Sequence, residues 1–128
     1  MVQNRNKLID LLIGNLSNAV LHRILEQSVE DEDLSRYYEK EILNSVKIAK
    51  KYREKINPAT EMLPREDSEN IRNRVIERVN NKLKARIEEG YKNIDLASVE
   101  EAVEKLLSEM NDYSFLILAT KKPSLSLS

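Results

Sequence analysis

The sequence predicts an all-α protein, an up-down bundle of about four main helices with a short C-terminal tail. Three observations support this fold class. Apolar residues recur every three or four positions over long stretches, as they do in amphipathic helices. Two glycines and three prolines in 128 residues leave few turns for a sheet, and the abundant Leu, Ile, Glu, Lys and Arg favour helices or fill cores. We expect one domain at residues 1–112, followed at 113–128 by an apolar segment and a disordered tail.

The first helix is predicted over about residues 5 to 27, and its apolar face is broad. Gly14 lies within it at a cost of about 1 kcal/mol relative to Ala, which we interpret as simple tolerance. A face of this width predicts that the helix contacts several neighbours or a partner chain. The main stripe is Ile9, Ile13, Leu16, Val20 and Ile24, widened by Leu8, Leu12, Leu21 and Leu25.

The second helix is predicted over about residues 33 to 56. The acidic run Glu30 to Asp33 precedes it, and acids at a helix N-terminus complement the helix dipole by about 0.3 to 1 kcal/mol each. Pro58 and Pro64 then predict the longest loop of the domain, because proline cannot continue a helix. The predicted buried stripe is Leu34, Tyr38, Ile42, Val46, Ala49, Tyr52 and Ile56. The basic residues of the C-terminal half are Lys47, Lys50, Lys51, Arg53 and Lys55.

The third helix is predicted to begin near Asp67 or Ser68, and Gly90 is expected to end it because glycine readily adopts a positive φ. Its predicted buried stripe is Ile71, Val75, Ile76, Val79, Leu83 and Ile87. The fourth helix is predicted to begin at an Asp95 cap or at a capping box that starts at Ser98. It runs to about Met110, with Leu96, Val99, Val103, Leu106, Leu107 and Met110 facing inward.

The sequence lacks the motifs of common enzyme and metal sites, so we predict no catalytic residue, cofactor or metal. His22 is the only histidine, whereas a di-iron bundle needs two Glu-x-x-His motifs. A phosphoacceptor role would need a glycine and a basic pair beside His22, so we expect a partly buried or surface histidine. The run Glu30 to Asp33 lacks the spacing and the glycine of a calcium loop and is interpreted as a solvated, capping run. Cysteine and phosphate-loop motifs are absent.

Four basic residues on the third helix recur every fourth position and form a candidate contact surface, the basic ridge: Arg74, Arg78, Lys82 and Arg86. One interpretation is a local contact for phosphate or for an acidic partner. The other is that these long side chains lie along the edge of the apolar stripe and pair with acids of a neighbouring helix. A small helical enzyme that binds an anionic substrate would need basic side chains inside the bundle, and Arg72 is the obvious candidate.

A candidate protein interface is predicted from the broad face of the first helix and from the apolar segment YSFLIL. Four amphipathic helices need not cover both, and uncovered apolar surface favours assembly. Tyr37 lies off the core stripe of the second helix, where it can act as an interface anchor. The candidate interface residues are Leu8, Leu12, Tyr37, Phe115 and Leu116.

The order of these parts resembles a known family. Residues 20–110 contain an acidic helix entry, EDEDLSRYYEKEI, then a Pro-containing loop, a long helix with KLKARI and, after a turn, DLASVEEAVEKLLSEM. This order is similar to the helical domain of the GINS proteins, non-catalytic subunits that join the replicative helicase to its partners. The resemblance implies a helical assembly subunit in DNA replication. Family members usually carry a small β-domain as well, for which 113–128 is too short, and no site residue is carried over.

The predicted function is therefore a non-enzymatic interaction subunit that assembles with a protein partner or with itself. The complex in which it would do so is a DNA replication complex or another nucleic-acid-processing complex. The alternative is a nucleic-acid-binding module. A formal net charge of −1 gives the whole molecule no attraction to phosphate, so such a contact would be local, at the basic ridge. No apolar run reaches the roughly 18 to 20 residues that span a bilayer, and cysteine is absent. We expect a cytoplasmic protein without a membrane or small-molecule partner.

Overall fold

The computed structural model describes residues 4–57 and 63–110. Within these ranges it contains four α-helices and no β-strand, so the all-α prediction is confirmed. The helices are α1 (Arg5–Ser28), α2 (Glu32–Ile56), α3 (Arg65–Glu88) and α4 (Val99–Met110), with a short 3₁₀ helix, Leu96–Ser98, before α4. The predicted bounds agree to within a few residues. The predicted domain boundary at 112 and the segment 113–128, with Phe115 and Leu116, lie outside the described residues.

The first three helices run up, down and up. Asn18 Nδ2 of α1 donates to Ser45 Oγ of α2 at 3.0 Å, and Ser35 Oγ of α2 donates to Glu26 of α1 at 3.4 Å. Because residue numbers fall along α2 as they rise along α1, these two helices are antiparallel. Between α1 and α3 the residue numbers of contacting pairs increase together, because Arg5 pairs with Asp67 and Asp10 with Arg74. These two helices are therefore parallel. The predicted up-down arrangement is confirmed for these helices.

Helix α1 lies at the centre of the bundle, in contact with α2, α3 and α4. Its broad apolar face is therefore covered within the chain, which explains the width of the stripe. Leu8 and Leu12, predicted at a partner interface, are only 4% and 1% exposed and are core residues. That part of the interface prediction is wrong, because neighbouring helices of the same chain cover both side chains. The apolar core residues of α1 are Leu8, Ile9, Leu12, Ile13, Leu16, Ala19, Val20, Leu21, Ile24 and Leu25.

Two residues of the predicted buried stripes are exposed. Leu34 of α2 is 38% exposed and Ile87 of α3 is 41% exposed. Each continues a stripe with a spacing of four residues, and in a helix of about 3.6 residues per turn such a stripe rotates by about 40° per step. After several steps the stripe turns away from α1. On α3, Ile71 is fully buried at one end of this series and Ile87 lies outside the core at the other.

Helix α1 is also long and apolar enough to cross a membrane by length and composition. Its most apolar window of 18 residues has a mean hydropathy of 1.3. The sequence analysis, which looked for an unbroken apolar run, did not predict this. Of that window, 61% is buried inside the protein. A central core helix meets the same criteria, so this finding is weak evidence for a membrane role.

Candidate interaction surface

The end of α3 places an aromatic ring on a cation. Gly90 has a φ of 107°, which confirms the predicted helix stop. The amide of Tyr91 donates to the Arg86 carbonyl and the amide of Gly90 to the Ile87 carbonyl, both at 3.0 Å. This is the hydrogen-bond pattern of a Schellman motif, which folds the residue after the glycine back over the last helical turn. The Tyr91 ring accordingly lies 5.6 Å from Arg86 Cζ, within range of a cation–π contact.

Helices α1 and α2 add further rings at the same end of the bundle. The rings of His22 and Tyr38 are 5.6 Å apart, and those of Tyr37 and Tyr38 are 5.7 Å apart. Tyr38 is 8% exposed, as the core stripe predicted, whereas Tyr37 is 52% exposed. Tyr91 and Arg86 lie close enough to act electrostatically on Tyr38. We call this set, His22, Tyr37, Tyr38, Arg86 and Tyr91, the tyrosine–arginine cluster.

The cluster has the electrostatic character of a partly desolvated cationic surface. Burial lowers the pKa of His22. A hydrogen bond with the Asn18 backbone and the charge of Glu41 oppose this shift, whereas the nearby cations Arg86 and Lys82 add to it. Burial likewise raises the pKa of Tyr38, because a buried phenolate is poorly solvated. Arg86 Nε is buried without a hydrogen-bond partner within the described ranges. A neutral imidazole and a neutral phenol beside a charged guanidinium are therefore expected at neutral pH.

Exposed apolar side chains concentrate around this cluster. Large apolar side chains that remain exposed in the described part of the chain are Leu34, Tyr37, Leu43, Ile87 and Tyr91. All but Leu43 belong to two short segments, 34–38 and 86–91, which are the segments that supply the cluster's tyrosines and arginine. Tyr37 confirms the prediction that it lies off the core stripe. A cationic centre with apolar and aromatic neighbours is thus open to solvent at one end of the bundle.

The basic ridge divides into a paired and an unpaired part. Arg74 Nη2 lies 3.1 Å from Asp10 Oδ1 of α1, which supports the pairing interpretation for this residue. The guanidinium of Arg78 lies over Gly14, with Nη1 3.7 Å from the position that a Cβ there would occupy. Among residues 4–57 and 63–110, neither Arg78 nor Lys82 forms an ion pair. Arg86 belongs to the tyrosine–arginine cluster and lies 3.6 Å from Glu89.

Arg72 does not point into the bundle, so the prediction of an inward anion ligand at this residue is wrong. Its Nη2 lies 2.8 Å from Glu104 and 3.8 Å from Glu100 of α4, at the surface. The buried arginine is Arg53, 2% exposed, which donates to the backbone carbonyl of Asn57 at 3.3 Å and to the Asn57 side chain. The sequence analysis placed Arg53 only among the basic residues of the C-terminal half of this helix and did not predict its burial. Its position four residues after Ala49, on the apolar stripe, was the available signal.

A second feature is a groove of about 250 Å³ between α1, α2 and α4, which we call the α4 groove. Its apolar lining includes Val20, Ile42 and Leu106. The remaining residues around it are Ala19, Arg23, Gln27, Ser98, Glu101, Ala102, Lys105 and Glu109. Both signs of charge alternate on its rim, so the groove does not select an anion or a cation.

No group of three or more His, Asp or Glu side chains in the described ranges could hold a metal ion. The run Glu30 to Asp33 is exposed, and Asp31 accepts hydrogen bonds from the amides of Asp33 and Leu34 at 2.8 and 3.1 Å. Its predicted capping role is confirmed.

Comparison with known proteins finds no match to a family model, a curated protein or a solved structure. The resemblance to GINS proteins therefore stays a prediction.

Proposed function

We propose that this protein is a non-enzymatic helical subunit that binds another protein through the tyrosine–arginine cluster. The observation that supports it best is the contact of Arg86 with Tyr91 beside the exposed Tyr37. Tyrosine and arginine are enriched among the residues that dominate binding energy at protein interfaces. Both tyrosines present large apolar area with few rotatable bonds, and Leu34 and Ile87 extend that area.

The composition of the cluster also indicates the chemistry of the partner. The Arg86 side chain is 38% exposed and lies 3.6 Å from Glu89, and the exposed part of its guanidinium favours a carboxylate on the partner, which can accept two parallel hydrogen bonds. The surrounding rings favour an apolar side chain next to that carboxylate. A DNA replication complex is the first setting in which to seek this partner, because the helix order resembles that of the GINS helical domain.

The test is affinity capture from native cells with the full chain, followed by titration of each captured protein after purification. We expect Tyr37→Ala combined with Tyr91→Ala to weaken binding at least tenfold, the scale of one strong interface residue. The matched control is Leu43→Ala, which truncates an exposed apolar side chain outside the cluster. Circular dichroism verifies that both variants stay folded. Equal affinity of the double variant and the control would refute the proposed surface.

A second function, binding of single-stranded nucleic acid, is favoured by one observation. Arg78 and Lys82 form no ion pair within the described residues. With Arg86 they form one row along α3 that ends at the Tyr91 ring. Cations in a row beside exposed aromatic rings are typical of sequence-independent single-strand binding. We place this function second, because the aromatic rings lie at one end of the row and do not alternate with the cations.

Salt dependence distinguishes this function from protein binding. For a labelled single-stranded oligonucleotide, we expect Arg78→Gln with Lys82→Gln to reduce the slope of log affinity against log salt by about 1.4, since each single-strand phosphate contact contributes about 0.7. Arg74→Gln is the control, because Arg74 is already paired with Asp10. No binding at low salt, or equal losses in both variants, would rule out the row as a phosphate contact.

A further inference from the structure

The α4 groove offers a site that the proposed function does not use. One face of α4 lines it over most of the helix, from Glu101 to Glu109. The opposite side is formed by α1, and Ile42 of α2 adds an apolar side chain. Helices α2 and α4 make few direct contacts with each other, so the groove lies open between them, with Ala19 and Val20 of α1 in its lining. Apolar side chains in its lining and charged residues around them allow an extended apolar peptide to dock.

The chain itself supplies a segment of that chemistry. The sequence YSFLIL, Tyr113–Leu118, follows α4 closely and contains no charged residue. An uncharged run of this kind promotes aggregation when it stays open to water, so burial is favoured. We propose that the α4 groove is the docking site of this C-terminal segment of the same chain.

The point of departure allows docking in the same chain, and the segment is long enough to cover the groove. Met110, the last residue of α4, is 2% exposed, and the preceding Glu109 lines the groove. The next two residues are Asn111 and Asp112, types that favour turns and so allow the chain to reverse. Six extended residues span about 20 Å at about 3.3 Å each. The groove face from Glu101 to Glu109 extends over about 12 Å at about 1.5 Å per residue.

The tether favours this occupant over a separate partner. Only two residues join the segment to α4, and attachment over so short a distance gives an effective concentration in the millimolar range, so a weak apolar contact is sufficient for occupancy. The formal charges on the rim sum to zero, because two basic residues, Arg23 and Lys105, stand against two acidic ones, Glu101 and Glu109. The groove therefore has no net charge that would favour an acidic or basic partner over the uncharged segment.

The test uses alanine methyl NMR, because Ala19 and Ala102 both line the groove. Signals of these two methyl groups are compared between the full chain and a chain that ends at Asp112. We expect both signals to shift when the segment is removed and to return when a synthetic peptide of residues 111–128 is added in excess. Ala49, fully buried and outside the groove, is the internal control and should not shift.

A full-chain variant separates docking from a folding defect. Phe115→Ser with Leu116→Ser keeps the chain length and should reproduce the shift at Ala19 seen on truncation. Ala102→Phe, which fills the groove, should make the Ala19 signal insensitive to truncation, whereas Ala97→Phe, at an exposed position outside the groove, should leave it sensitive.

Three results would overturn the proposal. The first is identical Ala19 and Ala102 signals with and without residues 113–128, which would leave the groove free for another occupant. The second is a set of shifts that depend on protein concentration, together with a doubling of the mass measured by light scattering. That result would mean that the segment binds the groove of a second copy of the chain. The third is a shift at Ala49 as large as those in the groove, which would indicate a general change of fold. None of these results bears on the tyrosine–arginine cluster, so the two proposals fail separately.

Discussion

The contact between α1 and α3 has two halves that share one sequence pattern and differ in chemistry. In the first half, Arg74 pairs with Asp10 and Arg5 with Asp67. In the second half, Arg78 and Lys82 form no ion pair within the described residues. Arg86 lies next to the Tyr91 ring and near His22. Cations of the first half pair with acids of the other helix, whereas in the second half only Arg86 has a nearby acid among the described residues, Glu89 at the end of its own helix.

This difference shows that a periodic row of basic residues has no single function. Its spacing determines which side chains share a face of α3, and the facing helix determines what each of them contacts. Helix α1 presents Asp10 opposite Arg74 but His22 near Arg86. A surface ion pair contributes about 0 to 1 kcal/mol, so the first half adds little stability. The second half retains the donors and rings that a partner could use.

The largest predicted effect tests whether the two halves rest on one core. Ile71 and Leu83, beneath the first and second halves, are both fully buried. We expect Ile71→Ala and Leu83→Ala to lower the free energy of unfolding by about 2 to 5 kcal/mol each, because each removes buried methyl groups and leaves a cavity. Urea denaturation measures both. A loss below about 1 kcal/mol for only one variant would show that the halves differ in their packing as well as at their surface.

The two glycines provide the next test, with opposite expected signs. Gly90 has a positive φ and open space around the position of a Cβ, so Gly90→Ala should destabilise through backbone strain alone, by about 1 to 3 kcal/mol. Because the same turn places Tyr91 on Arg86, the variant should also weaken partner binding. Gly14→Ala, in the helical first half, should stabilise by up to about 1 kcal/mol, since its Cβ would meet Arg78 Nη1 at an ordinary 3.7 Å.

Thermal unfolding of both glycine variants decides this prediction. A stabilising Gly90→Ala would mean that another residue ends α3. A destabilising Gly14→Ala would mean that α1 and α3 approach each other more tightly in the first half than the 3.7 Å contact indicates.

Local features of the fold were predictable because they depend on neighbours in sequence. Gly90 ends α3 as predicted, and Asp31 of the acidic run caps α2. Asp95, one of the two predicted caps of the fourth helix, caps the 3₁₀ helix that precedes α4. The exposure of Leu34 and Ile87 was not predicted. A stripe with four-residue spacing rotates around its helix, and it becomes exposed only where no neighbouring helix covers the rotated position, which the sequence does not show.

The tyrosine–arginine cluster could not be predicted as a unit. Tyr37 was identified as an anchor and Arg86 as part of the basic ridge, but nothing local relates either of them to His22. Their proximity depends on α2 running antiparallel and α3 parallel to α1, with particular registers. Register is a property of packed helices, and one sequence supplies no direct signal for it.

A smaller effect is expected at the ion pair of the first half. Asp10→Asn removes the carboxylate that Arg74 contacts at 3.1 Å, and both side chains are substantially exposed. We expect the free energy of unfolding to fall by less than about 1 kcal/mol and the difference from the unmodified protein to vanish in high salt, where surface charges are screened. Urea denaturation at two salt concentrations measures this. A larger loss that persists in high salt would indicate that Asp10 has a packing role.

The smallest expected effect concerns the pH dependence of the second half. Burial, with Arg86 and Lys82, lowers the pKa of His22 from 6.5, so the unfolded chain binds a proton more readily than the folded one. The contribution of His22 to stability is then complete above about pH 6.5 and is lost as the pH falls toward the folded pKa. The matched variant His22→Gln lacks this titration. The unmodified protein should therefore lose stability relative to the variant when urea denaturation is measured from pH 7.5 down to pH 5. A relative gain would mean that the hydrogen bond with the Asn18 backbone and the charge of Glu41 together outweigh burial, so that the second half would favour a charged His22.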